Sequence, residues 1–319
     1  MRTAEFLSPN NPNKLCDRIA DSILDVYLKQ DPTTQCNIQV SGGYGNVFVY
    51  GDVSSDGDVS NQTIQEIVYD ISEVNNVKIN LFKHNHKTNI NNQSGIVIGY
   101  ATKETETFMP FEYELTRDLN KFIYSYHPYD GTTQITINGD WLSVVASFQN
   151  TTSTQLDNLI REYFKDKKYH IDKIYCNNSG DWNVGGLIGN SGSNGKEIVV
   201  DNYGPRIPTG GSSYSGKDFF KIERCAGYMA RRIAVDSLTK YGLQYALVEL
   251  SYTNGQDEPV QARIKGNDSG INIETGLHLF EVKEYDLTPN GIINFLELHN
   301  TNCHQTSLWG HMGNNFKWK

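Results

Sequence analysis

A glycine-rich segment that ends in lysine is the part of the sequence best suited to chemistry on phosphates. Gly211, Gly216 and Lys217 give the spacing G-x-x-x-x-G-K, in which backbone N–H groups and an ammonium surround phosphate oxygens. A P-loop needs Ser or Thr after this lysine, to meet magnesium, and Asp218 stands there instead. The preceding strand is also predicted to end near Asn202, too far upstream for a strand–loop–helix unit. The segment therefore predicts phosphate binding at a helix entrance without the P-loop fold.

The residues that follow this loop add a second cation and a carboxylate. Lys217 and Lys221 are four positions apart, so a helix would place both on one face, with Glu223 nearby. Such a face could hold phosphate oxygens and a hard cation together. A solvated surface helix is the alternative explanation.

Three other groups carry weaker signals. Ser8–Lys14 opens a predicted helix, where unpaired N–H groups and Lys14 would suit an anion, although a capping segment accounts for the same residues. His84 and His86 lack further ligands at metal-binding spacing. The pair Cys303-His304 is more typical of a loop than of a catalytic dyad.

Composition limits the class of protein. The 319 residues carry a net charge of −9, which argues against a nucleic-acid or anionic-membrane partner but leaves room for a small polyanion in a local basic pocket. The five cysteines are scattered and form no CxxC pair, so neither a zinc site nor a disulfide framework is predicted. No apolar run approaches the roughly 20 residues that cross a bilayer. The N-terminus has no apolar signal region, so a cytoplasmic location is expected.

Hydrophobic periodicity predicts a mixture of helices and strands. Leu15, Ile19 and Ile23 recur at helical spacing after Pro12, which predicts a helix from about residue 12 to 29. Further helices are predicted at 63–71, 111–124, 154–164 and 219–240 and after Pro289. Strands are predicted at 96–100, 134–138, 141–148, 197–202, 245–252 and 278–282, with a hairpin over 38–52 around Gly42-Gly43. Residues 83–95 and 204–218 are predicted loops. The elements do not alternate strictly, which favours an α+β fold with mostly antiparallel sheets.

Taken in order, five segments resemble motifs of the methionine adenosyltransferase (S-adenosylmethionine synthetase) family along nearly the whole chain. Glu5, Ser8–Lys14 and Asp17 look like the family's opening motif, which ends G-H-P-D-K. Residues 99–105 with Met109-Pro110 look like G-Y-A-T-x-E-T…M-P. Residues 189–196 are similar to G-D-x-G-L-T-G-R, residues 210–218 to G-G-G-A-F-S-G-K-D, and residues 309–313 to Y-G-H-F-G.

This resemblance implies an α+β fold of three similar domains around a pseudo-threefold axis. The domains would be discontinuous: 1–9 with 103–185, 10–86 with 186–225, and 87–102 with 226–319. The resemblance also implies a tight dimer, often paired into tetramers, with active sites between the subunits. ATP and methionine would be the substrates and Mg²⁺ and K⁺ the cofactors, and the released tripolyphosphate would be hydrolysed. Residues 83–95 would be a shortened version of the family's mobile loop.

The resemblance also assigns roles to individual residues. It implies catalytic roles for Lys14, Lys217 and Lys221. It implies ATP or phosphate binding by Asn11, Lys196, Ser215, Gly216, Lys217, Asp218 and Lys221. Glu5 and Gln93 would bind methionine, and Asn13 and Glu223 would bind metal.

Several departures from the family's motifs fall on charged residues. Asn11 stands at the catalytic histidine, Asn13 at a magnesium-binding aspartate and Asn190 at the aspartate of G-D-x-G. Lys196-Glu197 replaces an Arg-Lys pair, and Thr132 replaces a phosphate-binding lysine. Asparagine neither exchanges a proton near neutral pH nor supplies charge to magnesium. Loss of one electrostatic donor can cost on the order of 2–4 kcal/mol in a transition state.

Three interpretations remain open. The chain could supply Lys217, Lys221 and Glu223 to a site shared with an intact homologue in a hetero-oligomer. It could be a self-sufficient but divergent homo-oligomeric synthetase. It could also be a non-catalytic regulatory subunit that binds a nucleotide or S-adenosylmethionine.

Overall fold

The computed structural model describes residues 1–88, 90–211, 213–268, 278–282 and 284–319. Its strands are β1 (Arg2–Leu7), β2 (Gln35–Gly43), β3 (Asn46–Ser54), β4 (Asn76–His84), β5 (Gly95–Thr102), β6 (Gly131–Asn138), β7 (Trp141–Phe148), β8 (His170–Cys176), β9 (Ser191–Ser193), β10 (Leu243–Tyr252), β11 (Gln261–Asp268) and β12 (His278–Glu281). Its helices are α1 (Pro12–Gln30), α2 (Asn61–Ser72), α3 (Phe111–Tyr126), α4 (Ser153–Phe164), α5 (Gly186–Gly189), α6 (Ile198–Asp201), α7 (Ile222–Lys240), α8 (Pro289–Phe295) and α9 (Cys303–Leu308).

The strands form three four-stranded sheets, and the predicted α+β class is confirmed. The sheet orders are β1-β6-β7-β8, β4-β3-β2-β9 and β12-β11-β10-β5. Pairing is antiparallel except between β3 and β4 and between β7 and β8. Each sheet therefore combines strands that are distant in the sequence.

Helices pack against one face of each sheet. Helices α3 and α4 cover the first sheet and enclose a core that includes Leu119, Ile135 and Leu156. Helices α1 and α2 cover the second sheet and α7 covers the third, and their apolar residues join in one larger core. In α1, the residues predicted from helical spacing, Leu15, Ile19 and Ile23, are all buried there.

We propose that each sheet with its helices forms one domain, divided along the chain as the resemblance implies. In support, the first sheet takes its strands from 1–9 and 103–185, the second from 10–86 and 186–225, and the third from 87–102 and 226–319. In the part of the chain that the structure describes, no helix has the length and apolarity needed to cross a membrane.

The predicted strand over 197–202 is wrong, because Ile198–Asp201 forms the short helix α6. The run Ile-Val-Val has high β propensity. Tertiary contacts override it: the Asp201 carboxylate accepts from Lys14, and the Val200 carbonyl accepts from the Tyr113 hydroxyl at 2.6 Å.

The predicted hairpin over 38–52 is present, but its turn lies at Tyr44-Gly45 rather than at Gly42-Gly43. Both turn residues have positive φ, 51° and 77°, which suits the backbone of a two-residue hairpin turn. Gly43 belongs to β2 and pairs with Ser191 of β9, so closely that a Cβ at Gly43 would overlap Ser191.

Other boundaries also differ from the predictions. Helix α7 begins at Ile222 with Lys221 as its N-cap, so Lys217 and Lys221 do not share a helical face. Strand β4 extends into the predicted loop 83–95, and Asn89 of that loop lies outside the described residues, as does Ser212 of the loop 204–218. Strands β1, β4, β8, β9 and β11 and the short helices α5 and α9 were not predicted from the sequence. The remaining predicted helices and strands are confirmed, with ends that differ by a few residues.

Gly99 offers a test of the packing between β5 and α7. A Cβ at this position would overlap the backbone carbonyl of Ala230, which is held inside α7. We expect Gly99→Ala to lower the free energy of unfolding by about 1–3 kcal/mol, measured by urea denaturation. Gly211→Ala is the control, because a Cβ there meets no atom within 4 Å. Equal stability of the two variants would contradict this account of the interface.

Candidate active site

The turn before α1 contains Asn11, a predicted phosphate-binding residue whose contacts are structural. The Ser8 hydroxyl donates to the Tyr129 carbonyl at 2.9 Å, which fixes the end of β1 beside the start of β6. Asn11 caps α1, its side-chain oxygen accepting from the Asn13 N–H at 3.1 Å. The Asn11 side chain also hydrogen bonds with the Asp130 carboxyl group. Asn11 therefore anchors the helix start.

Asn13 lies at an acidic edge. Its side-chain N–H₂ donates to Glu197 Oε1 at 2.5 Å, and its Oδ1 accepts from the Ser193 N–H at 3.0 Å. Because a backbone N–H can only donate, this second bond fixes the orientation of the amide. Burial and then the neighbouring charge of Glu197 raise the pKa of Glu5. Neither Glu5 nor Glu197 forms an ion pair with a lysine or arginine among the described residues.

Lys14 is buried between two carboxylates. Its ammonium lies 2.9 Å from Asp17 Oδ2 and 2.5 Å from Asp201 Oδ1. Burial opposes its charge, but Asp17 and Asp201 more than compensate, so the pKa of Lys14 is raised and it stays protonated. The Lys14 ammonium therefore connects α1 to α6 through its ion pair with Asp201. Lys196, in contrast, is exposed in the segment that follows β9.

A second set of predicted residues meets around the glycine-rich loop. The Lys217 ammonium lies 2.5 Å from Glu223 Oε2 and donates to the Ser213 carbonyl at 3.0 Å. The Gln93 side chain donates to the same Glu223 oxygen at 3.4 Å. Its own Oε1 is buried and accepts from no group among the described residues. Lys221 lies next to this set, half-buried at the start of α7.

The loop that carries Lys217 is held from beneath by a buried ion pair. Asp21 and Arg224 are both fully buried and lie 2.8 Å apart. Asp21 also accepts from the Gly216 N–H at 2.9 Å, and Arg224 donates to the Lys217 carbonyl at 2.9 Å. The loop backbone is therefore held by two side chains that are buried from solvent.

The side chains of Ser215 and Asp218 also point into the protein. Ser215 Oγ lies 3.4 Å from His311 Nε2, and the Ser215 carbonyl accepts from Asn194 at 2.9 Å. Asp218 accepts from the Cys36 N–H at 2.7 Å. These predicted phosphate-binding residues thus fix the loop, and Lys217 is the residue of this loop whose side chain contacts Glu223.

Sequence analysis noted Glu197 only as a departure from an Arg-Lys pair, and it missed Asp130 and the pair Asp21–Arg224. One signal was available: Asp17, Asp21 and Asp25 recur at four-residue spacing in α1, next to buried apolar residues. Among the described residues, no three His, Cys, Asp or Glu side chains converge as metal ligands, and this includes His84, His86 and Cys303.

Comparison with known proteins identifies the family of the chain. Residues 1–95 match the sequence model of the S-adenosylmethionine synthetase N-terminal domain, and residues 184–319 match that of the C-terminal domain. The S-adenosylmethionine synthase of Mycoplasmopsis pulmonis is 30% identical over 98% of this chain and 93% of its own length. The chain belongs to the S-adenosylmethionine synthetase family.

Two further comparisons agree with membership of this transferase family. The S-adenosylmethionine synthase of Acholeplasma laidlawii is also 30% identical, over 99% of this chain and 96% of its own. A solved structure described as an unusual S-adenosylmethionine synthetase from Campylobacter jejuni superposes with a TM-score of 0.87, covering 99% of this chain and 96% of that one. Its sequence identity is 23%, so this last match bears on the fold alone.

Removal of Arg224 tests the support beneath the loop of this synthetase-family chain. Arg224→Met leaves the buried Asp21 carboxylate without its partner, and we expect the free energy of unfolding to fall by about 3–5 kcal/mol. Arg232→Met, two turns further along α7, removes a half-exposed partner of Asp236 and should cost less than about 1 kcal/mol. Urea denaturation measures both. A small effect of Arg224→Met would show that the pair does not support the loop.

Asp130 predicts a pH dependence of stability. Burial raises the pKa of Asp130 to about 6, despite hydrogen bonds from the Gly186 N–H and Asn11. The folded chain therefore binds this proton more tightly than the unfolded chain does. The contribution of Asp130 to the free energy of unfolding should fall by about 2–3 kcal/mol as the pH rises from about 4 to about 6. Asp130→Asn should remove this fall in urea denaturation at several pH values, and identical slopes in the two proteins would refute the assignment.

Proposed function

We propose that the chain makes S-adenosylmethionine from ATP and methionine, with hydrolysis of the released tripolyphosphate, as a subunit that supplies part of a shared active site to an intact homologue. The observation that carries this proposal is the burial of Lys14 between Asp17 and Asp201. Of the residues assigned to that end of the site, only Lys196 keeps an exposed ammonium, while Glu5 and Glu197 are acidic. This end is poorly suited to a triphosphate by itself.

The groups around the glycine-rich loop suit the substrates better. Lys217 and Lys221 would hold phosphate oxygens as the methionine sulfur displaces tripolyphosphate from the adenosyl carbon, where catalysis is mainly electrostatic positioning. The buried Gln93 Oε1 has no donor among the described residues, and Glu223 lies beside the Gln93 side chain. The ammonium of methionine would supply that donor. These residues are the ones that the chain would contribute to a shared site.

Magnesium would be held by other protein ligands than the two that the resemblance implies. The predicted ligands are already engaged, Asn13 by Ser193 and Glu197, and Glu223 by Lys217. Magnesium commonly binds one or two carboxylates together with substrate phosphates, and Glu5 with Glu197 fits that pattern. When bound, the ion would neutralise phosphate charge. The potassium requirement implied by the family stays a prediction.

Self-association has support in an exposed aromatic surface. Phe48 and Tyr50 of β3 and Phe82 of β4 are exposed on the face of the second sheet that points away from α1 and α2. Tyr44 lies at the adjoining turn, also exposed. Contiguous exposed aromatic residues commonly mark protein contacts. A dimer or tetramer, with a second copy or with the intact homologue, would cover this face.

Glu197 favours a second candidate function, a self-sufficient synthetase. It lies in hydrogen-bonding contact with Asn13 and so returns a carboxylate to the place where the family has an aspartate. In that case, a homo-oligomer would bind magnesium through Glu197 and turn over without another protein.

The double variant Asn11→His with Asn13→Asp distinguishes the two functions. If the site is shared, the purified wild-type chain makes little S-adenosylmethionine with ATP, methionine, Mg²⁺ and K⁺. The double variant should then be at least about 100-fold faster, because it restores two charged groups. Adding the intact homologue from the same genome should activate the wild-type chain.

Lys221→Met is the control, and it should abolish turnover in both the double variant and the mixed oligomer. Robust turnover by the wild-type chain alone, lowered by Glu197→Gln, would reject the shared site and establish the self-sufficient enzyme.

A further inference from the structure

The segment between β4 and β5 is tied to the body of the protein at its first end. The Lys87 ammonium lies 2.7 Å from Asp31 Oδ2 and 3.0 Å from Asp56 Oδ2. The next residue pairs with β2 in both directions: the Thr88 N–H donates to Gln35 at 2.9 Å, and the Thr88 carbonyl accepts from Gln35 at 2.7 Å. Four contacts, made by the side chains of Asp31, Asp56 and Gln35, therefore hold this end.

Asn91 ties the second end to the turn that follows β10. It is 2% exposed. Its backbone N–H donates to Asp257 at 2.7 Å, and its carbonyl accepts from the Gly255 N–H at 2.8 Å. Its side-chain N–H₂ donates to the carbonyls of Thr253 and Gln256, each at 3.1 Å. Both the backbone and the side chain of Asn91 are thus hydrogen bonded to the turn between β10 and β11.

The same side chain fixes the backbone of Gln93. Asn91 Oδ1 accepts from the Gln93 N–H at 2.9 Å, and its N–H₂ donates to the Gln93 carbonyl at 2.9 Å. The Ser94 hydroxyl then accepts from the Asn254 N–H at 2.9 Å. With its backbone fixed on both sides, Gln93 has little freedom except in its side chain.

The orientation of the Gln93 side chain follows from its neighbour. A carboxylate only accepts, so the contact with Glu223 identifies the Gln93 N–H₂ group. Oε1 is then a buried acceptor that has no partner in the part of the chain that the structure describes. A buried acceptor without a donor is costly, so the arrangement favours a ligand that brings an N–H group.

We infer that Asn91 is a positioning residue that holds Gln93 beside the Lys217–Glu223 pair, and that residues 87, 88 and 90–94 form a strap already closed before substrate binds. The ligand class is a small molecule with an ammonium or other N–H donor. Its identification as methionine rests on the proposed function. The strap differs from the mobile cover that the family resemblance implies, because its anchors are contacts within the chain and need no substrate.

Tryptic cleavage after Lys87, followed by mass spectrometry of the 1–87 fragment, tests the strap without any catalytic step. In the absence of substrates, we expect Asn91→Ala to be cut at least tenfold faster than the wild type. Asn92→Ala is the matched control, since Asn92 is the exposed neighbour, and it should be cut at the wild-type rate. If the wild type is cut as fast as Asn91→Ala and is protected only when ATP and methionine are added, the strap is a mobile lid and the inference is wrong.

Steady-state kinetics in whichever assembly is active test the positioning role. Asn91→Ala should raise the KM for methionine at least tenfold, with kcat and the KM for ATP changed less than threefold. An equal loss in all three parameters would indicate general disruption and overturn the role. If Asn91→Ala does not fold, Asp257→Ala removes one anchor at the surface and should give the same pattern at smaller amplitude. If no assembly turns over, the proposed function fails, and the cleavage rates alone decide the strap.

Discussion

The fold depends on one helix that buries carboxylates. Asp17, Asp21 and Asp25 of α1 lie one turn apart on one face, and buried charges are tolerated only when they are paired or hydrogen bonded. Each is satisfied by a different part of the chain. Asp17 accepts from the Gly195 N–H, Asp21 binds Arg224, and Asp25 accepts from the Cys303 N–H. Helix α1 thus fixes the segment after β9, the start of α7 and the C-terminal region at once.

This dependence explains how the family's fold persists where its catalytic charges do not. Asn11 and Asn13 lie at the start of α1, where the amide of Asn11 caps the helix and the amide of Asn13 binds the Ser193 N–H. Several motifs behind the family resemblance serve packing instead. Arg231 donates to the Tyr100 carbonyl, and His311 lies buried against Tyr228. Burial and then the charge of Arg224 hold the pKa of His311 well below its ordinary value, so it packs as a neutral ring.

Sequence patterns predicted the parts of the structure that depend on local spacing. The helical period around Ile19 gave α1, and the glycine-rich spacing located the loop of Lys217. The helix at Ile198–Asp201 could not be found this way, because its β-branched residues favour a strand and distant contacts, such as those from Lys14 and Tyr113, reverse that preference. Glu197 was noted only as a negative charge at a position where the family has a lysine. Its contact with Asn13 joins residues 184 positions apart, and no local pattern encodes such a pair.

The distribution of charge in this chain is relevant to the proposal that its active site is shared with a second subunit. Around Asn13, the carboxylates of Glu5 and Glu197 attract a cation, while Lys14 is already neutralised by its buried partners. Around the glycine-rich loop, the ammonium groups of Lys217 and Lys221 are the groups that suit an anion, while the Asp218 carboxylate of the same loop is buried and accepts from the Cys36 N–H. A magnesium triphosphate needs both environments, one for the metal and one for the phosphates. An acidic surface and a basic surface that meet across a subunit contact would provide them, and the electrostatic attraction between the two would favour that contact.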